Sequence, residues 1–104
     1  MTQHLRRFEI LLPLRYNDGR PVPSTLLEQT RAELKYQFGG LSSESQIIQG
    51  FDRGTTGEDK MVRIFADVPD TAENLAFFLQ IKDRLKERFE QEEIWITTFP
   101  IEVI

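Results

Sequence analysis

Apolar residues in this 104-residue chain recur at every second position in some stretches and at every third or fourth in others, and the order of those stretches leaves few folds open. Residues 7 to 16, RFEILLPLRY, alternate cleanly. Phe8, Ile10, Leu12, Leu14 and Tyr16 share one face, the mark of a half-buried strand. Pro13 falls on the other face, where it has no N–H to give to a ladder, so regular pairing is expected to bulge or stop there. Asn17-Asp18-Gly19 then supplies turn chemistry. A helical period takes over next: Leu27, Thr30, Leu34 and Phe38 form one stripe, widened by Leu26. Thr25 and Glu28 stand at capping-box spacing at its start, and Gly39-Gly40 closes it.

The same alternation of periods repeats. SQIIQGFD (45–52) reads as a weaker strand suited to a sheet edge, RGTTGED as loop, and KMVRIFADV as a third strand with strong alternation. Asp70 with Glu73 is a second capping box. Leu75, Phe78, Ile81, Leu85 and Phe89 line the buried stripe of the helix that follows, and Lys82, Asp83, Lys86, Glu87 and Glu90 are solvated. The tail EEIWITTFPIEVI is a final strand, apolar on both faces. Strands are therefore expected near 6–15, 45–53, 60–68 and 93–103, and helices near 24–38 and 71–90. LKYQF (Leu34 to Phe38) and LKERF (Leu85 to Phe89) end the two helices alike, which suits a chain built in two halves. The order β-α-β-β-α-β with right-handed crossovers predicts an α+β, ferredoxin-like sandwich. It would have a four-stranded antiparallel sheet, strand order 4-1-3-2, with both helices on one face. At this length the chain is a single domain, 1–104, that buries roughly two-thirds of its unfolded surface.

Charge and composition exclude several functions. The net charge is −4 and no basic run exceeds Arg6-Arg7, which argues against a nucleic-acid partner. Without cysteine there is neither a disulfide nor a thiolate metal site, and a single histidine, His4, leaves no multi-histidine site within one chain. No metal or other cofactor is implied. No stretch approaches the ~18 apolar residues of a membrane span, and the first residues have no signal-peptide core, so the expectation is a cytoplasmic protein with no membrane partner.

Helices on one side leave the other side of the sheet to be explained. The helix-facing set would be Phe8, Ile10, Leu12, Leu14, Val62, Ile64, Ala66, Val68, Ile94 and Ile96. The opposite face then carries Leu11, Met61, Phe65, Trp95 and Phe99 among Arg7, Glu9, Arg63 and Thr97, with either Ile48 or the pair Ile47 and Phe51 from the second strand. A sheet face in water is normally polar. Five large apolar side chains there are expected to form a patch that something covers. The candidate interface or ligand-binding residues are therefore Leu11, Met61, Arg63, Phe65, Trp95 and Phe99, and no residue qualifies as catalytic.

The element order, the length and the apolar outer face resemble the dimeric α+β barrel group of ferredoxin-like proteins, in which two sheets pack face to face and often enclose a cavity. LKERFEQEEIWI (Leu85 to Ile96) is also similar to the C-terminal half of small bacterial proteins. The resemblance implies a homodimer and brings no catalytic residue with it. The first functional reading is a self-associating interaction or structural module, a homo-oligomer with the dimer as first choice. The alternative is a small-molecule binder or cofactor-independent enzyme with a cavity between paired sheets, where Arg7 and Arg63 hold an anionic ligand and Trp95 and Phe65 form apolar walls. Against that, Arg63 facing Glu9 reads as a structural cross-strand pair. Residues 1–6 or 101–104 folding back would cover the face from within the chain. An RNA-stacking platform lacks its second aromatic, since the first strand offers Leu11. The GTTG stretch (Gly54 to Gly57) has no Lys-Ser/Thr behind it and reads as a hairpin loop.

Overall fold

β1 runs Leu5–Pro13 and ends at the proline, two residues short of the expected boundary, because Pro13 removes the donor needed to continue. In the computed structural model, residues 4–39, 43–51 and 58–104 are described, those of 43–51 and 58–60 by their backbone alone. The further elements are α1 (Ser24–Phe38), β2 (Ser43–Phe51), β3 (Glu58–Pro69), α2 (Ala72–Arg88) and β4 (Trp95–Ile101). Between β1 and α1 the chain reverses through Tyr16–Arg20, where Gly19 takes a φ of 91° that a side chain would resist.

β1 lies between β3 and β4 and pairs antiparallel with both, Ile10 standing level with Ile64 on one side and Ile96 on the other. The strands whose side chains are described thus form a three-stranded antiparallel unit, laid out β-α-β-α-β with β1 in the middle. Over the strands whose side chains are described, the expected ferredoxin-like sandwich, a four-stranded antiparallel sheet in the order 4-1-3-2 with both helices on one face, is corrected to that three-stranded α+β unit in the order β3-β1-β4. β2 joins by backbone pairing alone, antiparallel along the outer side of β3, so the hydrogen-bonded order reads β2-β3-β1-β4. Ile47 and Ile48 are adjacent and Gly50 follows, so no period-two face marks β2 as a core strand. Whether Ile48 or Ile47 and Phe51 point to the open face falls on side chains outside the described residues, as does the Gly54–Gly57 loop.

One cluster forms the core. Phe8, Ile10 and Leu12 from β1 meet Val62, Ile64, Ala66 and Val68 from β3, with Ile94 just before β4. The helices contribute Leu34, Phe78, Ile81 and Leu85, and Phe89 closes the end of α2. Phe8 and Phe78 stack at 3.9 Å between ring centroids, locking β1 to α2. Leu14, Leu26, Leu27, Phe38 and Ile96 pack around this cluster partly buried. The helix-facing positions are thus those the alternation picks out. Leu75 is the exception, 45% exposed.

Both capping boxes need correction. α1 begins behind Pro23 with no side-chain cap, and Thr25 lies inside the helix. α2 is capped by Thr71, whose hydroxyl accepts from the Asn74 N–H at 3.2 Å. Asp70 instead accepts from Arg6 Nε at 3.0 Å. The helices are tied to each other by a polar link. Thr30, fully buried, donates to the Leu26 carbonyl at 2.8 Å and accepts from Arg88 Nη1 at 3.0 Å. Arg88 also donates to Glu33.

Candidate functional site

Residues opposite the core set on each strand compose the outer face, because successive side chains leave a strand on alternate sides. Backbone pairing orders them in rows: Arg63, Leu11 and Trp95; then Phe65, Glu9 and Thr97; then Asp67, Arg7 and Phe99. Met61 stands beside Pro13 at the end of β1. The six candidate residues therefore do share one face. They do not form one exposed apolar patch.

The middle of the face is occupied by ion pairs. Arg7 holds Asp67 with both ends of its guanidinium, Nε to Oδ1 at 2.7 Å and Nη2 to Oδ2 at 2.9 Å. The same guanidinium lies 4.4 Å from the centre of the Phe65 ring, so Phe65 is shielded by its own neighbour. Arg63 Nε stands 3.7 Å from Glu9 Oε2, an ion pair too long for a hydrogen bond. Among the described residues that Nε has no hydrogen-bond acceptor. Among the described residues, two arginines face two carboxylates here, and their charges balance. Leu11, Met61 and Phe65 are each half-buried in this setting.

Among the described residues of this face, exposure gathers instead at one side. Trp95 is 64% exposed and Phe99 41%, both on β4, with Thr97 between them on the same face. No charged residue occurs from Trp95 to Ile101, and β4 ends the sheet with β1 as its neighbour. Cover from within the described chain is excluded. Leu5 and Arg6 are part of β1, Ile101 pairs with Leu5, and Val103 and Ile104 stand exposed.

Sequence reasoning missed Asp67, although its period-two relation to Phe65 and Arg63 places it on this face. It also missed a groove of about 810 Å³ between the helices on the far side, lined by Glu33, Tyr36, Phe77, Gln80 and Arg84 among others. Tyr36 is 92% exposed there. Among the described residues no group of three or more His, Asp or Glu side chains is placed to hold a metal ion. No described helix is long and apolar enough to cross a membrane.

No protein-family model matches the chain, and no curated protein matches it in sequence. Solved structures match it in shape. A Bacillus cereus protein related to NIF3 superposes on 97% of this chain with a TM-score of 0.60 at 15% identity, the match spanning 26% of that longer protein. A phage SAM lyase, solved in complex with S-methyl-5'-thioadenosine, superposes on 99% of this chain and 92% of its own with a TM-score of 0.57 at 12% identity. At these identities the likeness is one of fold, and the shared fold is α+β.

Proposed function

We propose that this chain is a self-associating interaction module, a homodimer first, which meets its own copy along the strip formed by Trp95, Thr97 and Phe99 beside Leu11. The observation that carries this reading is the exposure of two large aromatic side chains on an uncharged strand. A large apolar side chain left wholly in water forgoes about 1.5–3 kcal/mol relative to full burial, and Trp95 and Phe99 each forgo a share of that set by their exposure. Aromatic side chains of this kind are the usual anchors of interfaces. The charges beside the strip favour a like partner. Arg7 with Asp67 and Arg63 with Glu9 balance, so these described charges beside the strip favour neither a polyanion nor a polycation. A small anionic ligand draws less support, because it would have to compete with Asp67 for Arg7.

Two arrangements bring the strip under a second copy. One is sheet stacked on sheet, as in the dimeric α+β barrel group; the other is edge against edge. Sedimentation at about 10–50 μM tests the common premise, a range suited to micromolar affinity. Wild type should sediment as a dimer, Trp95→Glu as a monomer, and Tyr36→Glu, altered on the helix side, as wild type. A monomeric wild type across that range overturns the reading.

A further inference from the structure

Edges of native sheets are ordinarily guarded by Lys, inward-pointing charges, bulges or a covering segment. β4 has none of the charges: its sequence from Trp95 to Ile101 is WITTFPI. Its one guard in that span is Pro100, whose missing N–H stops a ladder there. Resting on the self-association reading, we infer that two copies join β4 to β4 as antiparallel neighbours about a twofold axis at Thr97, making one continuous sheet.

The register follows from the strand's own sequence. Antiparallel pairing symmetric about Thr97 sets Thr97 opposite its counterpart and Trp95 opposite Phe99, the latter pair occurring twice. Aromatic pairs and threonine pairs are among the favourable cross-strand neighbours. On the helix side, Ile96 comes opposite Thr98. Opposed residues share a face, so both open faces lie on one side and both helix layers on the other. Moving the axis to Thr98 would set Trp95 against Ile101 and Phe99 against Thr97, and both aromatic pairs would be lost. Placing the axis between Thr97 and Thr98 would turn one copy over and set Trp95 against Pro100. The ladder is also bounded. In the Thr97 register Glu92 would next face Glu102, and Pro100 ends the pairing before those like charges meet. A foreign extended peptide could pair with the same edge. The reversal symmetry of Trp95–Thr97–Phe99 singles out a second copy, and a twofold contact closes on itself.

The absence of cysteine makes the test clean. In the proposed register the two Thr97 Cα atoms lie about 4.5–5.5 Å apart, within disulfide reach. The two Thr98 positions are diagonal, about 7–8 Å apart, and do not close readily. Thr97→Cys and Thr98→Cys are oxidised mildly at a concentration where wild type sediments as a dimer, and the products are resolved on a non-reducing gel. Thr97→Cys should yield covalent dimer at least about tenfold faster, because only opposed thiols have a high effective concentration. A dimeric wild type in which Thr97→Cys does not outpace Thr98→Cys overturns the edge pairing and leaves self-association standing. A monomeric wild type with no cross-link overturns both.

Discussion

Phe89 is sealed behind α2 while Leu79, on the same stretch of chain, faces water, so two truncations separate packing from mere apolarity. Phe89→Ala should cost about 3–5 kcal/mol in urea denaturation, combining lost transfer energy with the cavity left behind. Leu79→Ala should stay within about 0.5 kcal/mol. A loss below about 1 kcal/mol at Phe89 would mean that the end of α2 repacks to fill the space. At this scale the alternation in β1 and β3 was legible because each strand has one helix-facing side and a strict period of two. Helical positions were less so. Leu75 lies about a quarter turn from the line through Ile81 and Leu85, given ~100° per residue, and that offset puts it in water. Arg88 was not legible at all. Its partners, Thr30 and Glu33, belong to the other helix, and local sequence carries no record of such a meeting.

The capping of α2 shows how neighbouring signals compete within an element. Asp70-x-x-Glu73 and Thr71-x-x-Asn74 overlap, and the choice falls to Thr71 because Arg6 draws Asp70 toward β1. Thr71→Ala should therefore destabilise by about 1 kcal/mol in thermal or urea unfolding. Thr25→Ala, which removes no cap hydrogen bond, should change stability by no more than a few tenths of that. The join between α2 and β4 is electrostatic. Glu93 Oε1 accepts from Lys82 Nζ at 2.9 Å and from the Ile94 N–H at 3.0 Å, with Lys86 close by. The hydrogen bond from Lys82 comes first in holding the Glu93 carboxyl below its ordinary value of 4.5, followed by the backbone donor of Ile94. A depressed carboxyl favours the fold above the unfolded value, and that small contribution is lost as pH falls through the lower, folded value. An NMR titration should place Glu93 below an ordinary glutamate, and Lys82→Met should move it back up. A titration that Lys82→Met leaves unmoved would show that the link does not form in solution. β2 marks where element-level legibility ended. Its pairing with β3 is antiparallel as a short hairpin requires, but adjacent isoleucines and a glycine carry no face preference to read.

For the molecule as a whole, the sequence made plain that the sheet has a face without helices and that Trp95 stands on it. The distribution of exposure across that face was not legible. It depends on which arginine reaches which carboxylate across β1 and β3, and on Arg7 lying over Phe65, and these are contacts between distant segments. The same contacts move the apolar surface from the middle of the sheet to β4. If two copies share that surface, unfolding is coupled to dissociation, so the midpoint temperature should rise with protein concentration. Calorimetry at two concentrations about tenfold apart reads this directly, and a constant midpoint would argue for a monomer. Trp95 is the chain's single tryptophan, so every photon of indole emission comes from the proposed seam. In the lone subunit its ring is already wet, and unfolding should hardly shift its colour. Joining a second copy should move the emission to the blue. A melt followed by that emission would therefore record separation of the pair, while circular dichroism of the same sample records loss of the helices, and the gap between the two curves would measure how far the subunit survives alone.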